Sequence, residues 1–438
     1  MLQSGFRMAS PYRELRGTWN RNVREDRNLV EAITGNMKAS SLVLLPAFAA
    51  LSTAMKCWNM TIPIYISARN PVFDLKPPTT ETEVTALFLD LSRPGNNVTA
   101  QYLKDYATVS GNYKLAATYC EATARCARDG LQILTHGVGF DRSYWDYPYH
   151  SWNYSYVREA VRDGYSTLTW DRLGVGESSH GETVNEIQIN LEIAALKAMT
   201  DMARAGQLPG VTRRFSKIVH VGHSFGSAMT YGLTAMYPSI SDGIVLTGFS
   251  QVSKYMAYFA LGANFVPVSK IRSLANKYGP GYYAPRSKTG VHINFFGPDN
   301  FDPKLLDSAY NNGQAATAGE LLTVGSGPSS SDFAGPVMII TGDRDIPFCG
   351  GNCMATMDNS PSSPNLIEQS KANFKKAKVF NATVVPDVGH ALNFGYPAHH
   401  AFDIMVEFLR SNVGPLTERE VRETRRSFRR TRPRSRSG

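Results

Sequence analysis

The segment at residues 217–230, KIVHVGHSFGSAMT, places a serine between two glycines at the end of an apolar run. The apolar run is typical of a buried strand, and the pattern of residues 225–237 is typical of a helix. A serine at such a strand-to-helix junction must turn sharply, which brings neighbouring backbone close to it. Glycine at Gly222 and Gly226 removes the Cβ atoms that would clash there. The segment therefore predicts a sharp turn that projects the hydroxyl of Ser224, although GHSFG is also compatible with an ordinary glycine-rich turn.

The chain around this segment alternates strand-like and helix-like patterns from Leu131 onward. The predicted strands are LQILTHG, YSTLTWD, KIVHVGHS, GIVLTGFS, PVMIITGD and AKVFNATVV. The predicted helices cover residues 144–163, 183–205, 225–237 and 398–412. Such alternation indicates an α/β fold whose mainly parallel sheet carries helices on both faces.

Two parts of the chain depart from this alternation. Residues 60–130 contain TIPIYI, VTALFLDL and YKLAATYC, separated by turn residues, and these three runs predict antiparallel edge strands. Residues 251–335 are rich in aromatic residues, glycine and serine, without a regular period. We interpret 251–335 as an insertion that forms a cap or lid, and residues 55–250 and 336–415 as the core domain.

A serine hydroxyl is a weak nucleophile until a base removes its proton. The base is expected late in the chain, after the acid. His390 in VVPDVGHALNF follows the last predicted strand and precedes the final helix, so we predict that it is the base. His399 and His400 fall inside that helix and fit the role less well.

The acid that orients the base is expected after the strand that follows the insertion. TGDRDIPF offers Asp343 and Asp345 there, and the spacing from Gly342 favours Asp345. A carboxylate in this place holds the tautomer of the imidazole and stabilises the imidazolium that forms. We interpret the other aspartate as a solvated or loop-capping residue, and Asp387, near His390, as a turn residue.

The oxyanion that forms during serine attack needs backbone N–H donors. We predict the amide of Phe225, directly after the serine, and the amide of Val138 in the loop THGVGFDRSYW. His136 and Gly137 set the turn of that loop. A further loop, WDRLGVGESS, contains Asp171 and Arg172, and we interpret both as structural residues that hold the loop in place.

Together these residues resemble the α/β-hydrolase fold superfamily over residues 131–413. The resemblance implies a Ser224, Asp345 and His390 triad, with the amides of Val138 and Phe225 as oxyanion hole. The insertion resembles the caps of lipases, esterases and haloperoxidase-like members. The long separation between Asp345 and His390, which contains CGGNC, departs from the family pattern.

The resemblance also limits which reactions Ser224 is expected to catalyse. Epoxide hydrolases and haloalkane dehalogenases of this fold carry an aspartate where this chain has Ser224, so the implied reaction is hydrolysis of an ester or lactone through an acyl-serine. A proline-iminopeptidase-like or other amide hydrolase is the first alternative, because a similar WDRLGVGES loop occurs there, although the insertion is poor in acids. The second alternative is a catalytically silent hydrolase fold that binds ligands, although no member of the triad is missing.

Composition bears on cofactors and partners. We find no phosphate-binding loop, dinucleotide fingerprint or metal-ligand cluster, so we expect no cofactor and no metal. The formal net charge of +9 comes from the termini: residues 1–38 carry seven Lys/Arg against four acids, and 416–438 carry nine Arg against three Glu. The neutral body argues against nucleic acid as a partner.

The aromatic stretches YWDYPYHSWNYSY and KYMAYFALGANF suggest an apolar pocket for a small ester, although ordinary core packing also explains them.

The N-terminal region predicts export. Residues 37–54 combine a methionine and a lysine with an apolar run and small residues, as signal peptides do. A signal anchor or a buried core helix are the alternatives, but the run is too short for a stable membrane span. We interpret residues 1–36 as a leader or as an extension upstream of the true start, and the basic tail 416–438 as disordered.

Sequons and cysteines agree with a secreted protein, and this combination resembles the hydrolases of filamentous fungi. The sequons lie at Asn59, Asn97, Asn153 and Asn381. The glycines in PFCGGNCM favour a disulfide between Cys349 and Cys353, and neither pair of cysteines has histidines at zinc-ligand spacing. Cys57 is expected to pair with Cys120 or Cys126.

Overall fold

The computed structural model describes residues 55–122, 129–150, 153–355 and 363–413. The predicted signal peptide at 37–54, the segment 1–36 and the tail 416–438 lie outside the described residues.

The described residues form strands and α-helices in alternation over most of their length. The strands are β1 (Lys56–Phe73), β2 (Leu103–Glu121), β3 (Gly130–Thr135), β4 (Ser166–Trp170), β5 (Lys217–His223), β6 (Gly243–Thr247), β7 (Phe265–Pro267), β8 (Tyr282–Pro285), β9 (Ala316–Thr317), β10 (Pro336–Gly342) and β11 (Val379–Val385). The helices are α1 (Glu81–Ser92), α2 (Val98–Tyr102), α3 (Tyr156–Arg162), α4 (Ile189–Ala205), α5 (Phe225–Met236), α6 (Met256–Ala263), α7 (Lys288–Phe295), α8 (Pro303–Asn311), α9 (Ala318–Thr323), α10 (Ile346–Cys349) and α11 (Ala398–Asn412).

Eight strands form one central sheet, in the order β1-β2-β4-β3-β5-β6-β10-β11. β1, β2 and β4 pair antiparallel, and the remaining neighbours pair parallel. This arrangement confirms the predicted α/β fold with a mainly parallel sheet. The site-bearing strands β3, β5 and β10 are almost wholly buried, as expected for parallel strands that are covered on both faces.

Both faces of the sheet carry a hydrophobic core, and strand β10 shows this directly. Met338 and Ile340 belong to the larger apolar cluster, which includes side chains of α11. Val337 and Ile339 belong to a second cluster with Phe348. Successive residues of a strand point to opposite faces, so the two clusters lie on opposite sides of the sheet.

One predicted edge strand is wrong. The run VTALFLDL, residues 84–91, lies in helix α1. Thr80 begins this helix with a capping box, in which its side chain accepts from the Glu83 N–H while the Glu83 carboxylate accepts from the Thr80 N–H. Val84, Leu87 and Phe88 are the buried residues of the helix, at the spacing of one helical face. Local capping and this period override the β-type composition of the run.

Two predicted helices are shorter than expected. In 144–163 the structure has a 3-10 turn at Arg142–Trp145 and then α3, which Ser155 caps through the Arg158 N–H. The helix predicted from residue 183 begins only at residue 189 with α4. The Asn185 side chain accepts from the Phe73 N–H at the end of β1, at 2.7 Å, and this contact holds the preceding residues in a loop.

The segment between β6 and β10 contains α6 to α9 and a small antiparallel sheet in the order β7-β8-β9. It packs on helix α1, where the rings of Phe88 and Phe265 stack with centroids 4.8 Å apart. Helix α1 comes from the β1–β2 connection, so two separate parts of the chain meet on this side of the sheet.

Two disulfides link described residues. Cys57 pairs with Cys120 across β1 and β2, and Cys349 pairs with Cys353. Cys126 lies outside the described residues. The side chains at the four sequons are exposed. Among the residues described, no helix combines the length and apolar character that a membrane crossing requires.

Candidate active site

Ser224 lies at the junction between β5 and α5 in a strained backbone conformation. Its φ and ψ are 54° and −115°, a region that non-glycine residues rarely adopt. A Cβ on Gly222 would collide with the carbonyl of Gly226, and a Cβ on Gly226 would collide with the carbonyl of Thr135 at the end of β3. Both glycines are therefore required by the close approach of backbone around the serine, as the sequence predicted.

Asp345 and His390 form a buried hydrogen-bonded pair. His390 Nδ1 lies 2.8 Å from Asp345 Oδ2, and neither side chain is exposed to solvent. The same carboxylate accepts from the Thr341 hydroxyl at 2.6 Å and from the Phe348 N–H at 2.9 Å. Three donors around Asp345 fix its orientation, and Asp345 in turn fixes the imidazole.

The competing aspartates and histidines occupy other positions. The Asp343 carboxylate lies 3.4 Å from the Val388 N–H, accepts from it, and pairs with Arg344 at 3.5 Å on the partly exposed side of the loop. Asp387 adopts a φ of 57°, as expected of a turn residue. His399 and His400 are exposed on α11. Of the candidate acids and bases, the structure pairs only Asp345 with His390 among the described residues.

The other ring nitrogen of His390 is unpaired within the described part of the chain. Nε2 is buried and has no hydrogen-bond partner among the described residues. The Phe348 ring stacks beside the His390 ring at a centroid distance of 5.6 Å. Phe348 also lines the cavity that Ser224 lines, so this one ring lies next to both the cavity and His390.

A second histidine adjoins the pair. The rings of His223 and His390 lie 4.8 Å apart, and His223 stacks on Tyr144 at 4.4 Å. Burial, together with the neighbouring His390 and His136, lowers the pKa of His223 well below its ordinary value. His223 is therefore neutral at physiological pH and adds no positive charge next to His390.

The cavity beside Ser224 is apolar and has a volume of about 130 Å³. Among its lining residues, Ser224 is the only one with a polar side chain. Helix α1 contributes Phe88 and Leu91, and helix α6 contributes Met256 and Phe259. Helix α1, which was predicted as a strand, is thus part of the cavity wall.

Val138 and Phe225 line the same cavity as Ser224. Neither of their N–H groups donates to another backbone carbonyl in the described chain. The predicted oxyanion-hole residues therefore line the same cavity as Ser224 and keep N–H groups that no backbone carbonyl of the described residues accepts from.

Comparison with known proteins agrees with this geometry. Residues 132–401 match the model of a family described as the alpha/beta hydrolase family. The chain belongs to the alpha/beta hydrolase family. A comparison with curated protein sequences gave no match.

Three solved structures with modest similarity to this hydrolase are the following. A thermophilic esterase from Thermogutta terrifontis has 17% identity and a TM-score of 0.48, over 69% of this chain and 94% of its own. A putative non-heme bromoperoxidase from Mycobacterium tuberculosis has 16% identity and a TM-score of 0.45, over 69% and 97%. Est1E from Butyrivibrio proteoclasticus, bound to ferulic acid, has 17% identity and a TM-score of 0.41, over 69% and 96%.

Sequence reasoning about this hydrolase missed Thr341, Tyr144 and helix α1. Thr341 lies four residues before Asp345, and its hydroxyl could have been proposed as a carboxylate partner from that spacing alone. The contribution of α1 was hidden because its run was assigned to a strand. Tyr144 carried no signal beyond its aromatic surroundings.

Asp171, interpreted as structural, has such a role in this hydrolase. It is buried, pairs with Arg142, and accepts from the Glu177 N–H at 3.0 Å. Burial raises the pKa of Asp171 to about 6, against the opposing effect of Arg142. These contacts hold the loop after β4 to the loop after β3.

Proposed function

We propose that this protein is a serine hydrolase that cleaves carboxylic esters through an acyl-serine intermediate. The observation that carries the proposal is the buried Asp345–His390 pair, at 2.8 Å, next to Phe348 in the wall of an apolar cavity whose polar side chain is Ser224. The strained turn at Ser224 supports the nucleophilic role, because strain in a buried turn is kept where function requires it.

In the proposed reaction, Ser224 Oγ attacks the acyl carbon while His390 Nε2 takes its proton. Asp345 accepts from His390 Nδ1–H, which keeps the tautomer and stabilises the imidazolium. The amides of Val138 and Phe225 bind the developing oxyanion. His390 then gives the proton to the departing alkoxide, and a water molecule that His390 activates hydrolyses the acyl-serine.

The cavity supports an apolar acyl group as substrate. Phe88, Met256 and Phe259 offer apolar contact, and the lining residues include no carboxylate. An amino-terminal amine would need such a carboxylate. Glu320, a buried acid of the segment 251–335, is already bound to Arg172. The cavity therefore favours esters or lactones over the substrates of an aminopeptidase-like amide hydrolase.

A panel of p-nitrophenyl esters of rising acyl length tests this proposal. We expect turnover of short and medium acyl chains, with kcat/KM at least about tenfold above that of an amino-acid p-nitroanilide, because the apolar cavity binds the acyl chain and nothing in it binds an amine. Steady-state kinetics at neutral pH is the measurement. Anilide hydrolysis at equal or greater kcat/KM would contradict the ester assignment and favour the amide hydrolase.

We further propose that the protein is exported, that residues 37–54 are its signal peptide, and that 251–335 with α1 acts as a cap over Ser224. The exposed sequon asparagines and the two disulfides support export. Expression in a eukaryotic host should give a mature N-terminus near Met55 and a mass above the sequence value that falls after deglycosylation. N-terminal sequencing and mass spectrometry decide this, and an unglycosylated product that retains residues 1–36 would contradict it.

A further inference from the structure

A fully buried ionic cluster lies beneath the candidate oxyanion hole. Arg172, on the loop after β4, contacts Glu192 of α4 at 2.8 Å and also Glu320 of α9, both through the same Nη1 atom. None of the three side chains is exposed. Removing charged groups from water is costly unless they are paired and hydrogen-bonded, so a buried cluster of this kind needs a compensating role.

Arg172 contacts both segments that carry the oxyanion amides. Its guanidinium lies over the ring of Phe225, with the central carbon 4.4 Å from the ring centre. Its backbone N–H donates to His136 Nε2 at 3.1 Å, and His136 Nδ1–H donates to the Gly137 carbonyl at 2.8 Å. His136 and Gly137 directly precede Val138. One residue thus links the two loops whose N–H groups must converge on a single oxygen.

The two glutamates have unequal roles in holding Arg172. Glu320 accepts from Arg172 through Oε1 and from the Thr317 N–H through Oε2, at 2.7 Å. Glu192 Oε1 has no partner among the described residues. Burial raises the pKa of Glu192 well above its ordinary value, and the nearby Glu320 raises it further, against the opposing effect of Arg172. Glu320 therefore uses both carboxylate oxygens in this cluster, whereas Glu192 uses only Oε2.

We propose that Arg172 is a positioning residue for the oxyanion hole. Its backbone N–H fixes the loop of Val138, its guanidinium supports the ring of Phe225, and Glu320 holds the guanidinium at that ring. The inference rests on the proposed function, because the geometry of two converging amides matters only if an oxyanion forms between them. It assigns a role in catalysis to a residue that does not line the substrate cavity.

The substitution Arg172→Lys tests the proposal while keeping a positive charge for the glutamates. An ammonium group lacks the planar face that stacks on an aromatic ring. We expect kcat to fall about 10²-fold, the scale for a small displacement of reacting groups, and KM to change less than about twofold. KM is expected to hold because Arg172 makes no part of the apolar cavity wall.

Matched variants separate this role from general stability. Glu320→Gln should lower kcat with KM kept, because a neutral amide holds the Arg172 guanidinium less firmly than the carboxylate does. Arg204→Lys is the control for loss of an arginine ion pair. Arg204 contacts Asp242 at 2.8 Å just before β6 begins, whereas Ser224 follows the C-terminal end of the neighbouring strand β5, so kcat of Arg204→Lys should be unchanged.

Hydrogen–deuterium exchange supplies a readout that needs no turnover. In Arg172→Lys, deuterium uptake in the first turn of α5 should rise, because the guanidinium over Phe225 is lost. Uptake in residues 136–141 should stay near that of the parent, because lysine keeps the backbone N–H that donates to His136. Arg204→Lys should leave both unchanged. Parent-like kcat in Arg172→Lys, or a change confined to KM, would overturn the positioning role. Unchanged uptake in the first turn of α5 would overturn it equally.

Failure of the proposed function gives a different pattern. A parent protein that hydrolyses no ester and is not labelled by a fluorophosphonate at Ser224 contradicts the proposed function. Deuterium uptake still tests the contact between Arg172 and Phe225 in that outcome, because the first turn of α5 either loosens in Arg172→Lys or does not.

Discussion

Substituting Ser224 by alanine is expected to lower ester turnover by roughly six orders of magnitude, because serine and histidine of such a site act as one unit. His390→Ala should cost a similar factor, and the double variant should be no worse than either single one. The Ser224→Ala protein should remain folded, since alanine keeps the Cβ that the strained turn already accommodates. Steady-state kinetics and thermal unfolding are the measurements.

Ser241→Ala is the matched control for loss of a buried serine hydroxyl. Ser241 donates to the Gly243 carbonyl at 2.8 Å near the start of β6, away from the cavity. The Ser241→Ala variant should lose a small part of its folding stability, about 1 kcal/mol, and keep the kcat of the parent protein. Full activity in Ser224→Ala would contradict the proposed function as a whole.

Substituting Asp345 by asparagine is expected to lower kcat by about three to four orders of magnitude through a mis-set tautomer of His390. Asparagine is also a good helix N-cap, so the bond from the Phe348 N–H at the start of α10 can persist and the fold should survive. The amide cannot serve as the anionic acceptor for His390 Nδ1–H. Turnover and the melting temperature of the variant are measured together, so that a loss from the mis-set tautomer is distinguished from a loss of folding stability.

Asp343→Asn is the matched control, because the residue lies two positions away on the same loop. Its carboxylate contacts Val388 and Arg344 rather than His390. We expect less than about a tenfold change in kcat, since only the loop conformation is affected. A severe loss in Asp343→Asn with a mild one in Asp345→Asn would contradict the pairing seen in the structure.

The choice between these aspartates shows where sequence spacing reaches its limit. Both residues follow β10 within three positions, and the spacing from Gly342 only favours one of them. Burial decides: Asp345 is fully buried with three donors around it, and Asp343 turns to the partly exposed side. Which way a side chain on a loop points depends on what packs beneath it, and that information is not local.

Helix α1 is the opposite case, in which a local sequence signal was present and the prediction did not use it. Its run VTALFLDL is rich in residues that favour strands, and a composition-based reading assigned it to the sheet. The capping box at Thr80 and Glu83 was nevertheless present in the sequence, four residues before the run begins. Attention to helix-start signals would have corrected this prediction without the structure.

The sequence by itself determined the α/β fold and the turn at Ser224, because strand-and-helix periodicity and glycine at crowded backbone are local properties. The order of the proposed nucleophile, acid and base also came from the sequence, because each residue was placed by its position after a strand. Only the tertiary structure decided that His390 meets Asp345, that α1 and α6 enclose the serine, and that Arg172 joins the two amide-bearing loops. These contacts link residues separated by up to hundreds of positions. They follow from which strands are neighbours in the sheet and which side chains are buried between the layers, and no local pattern encodes either.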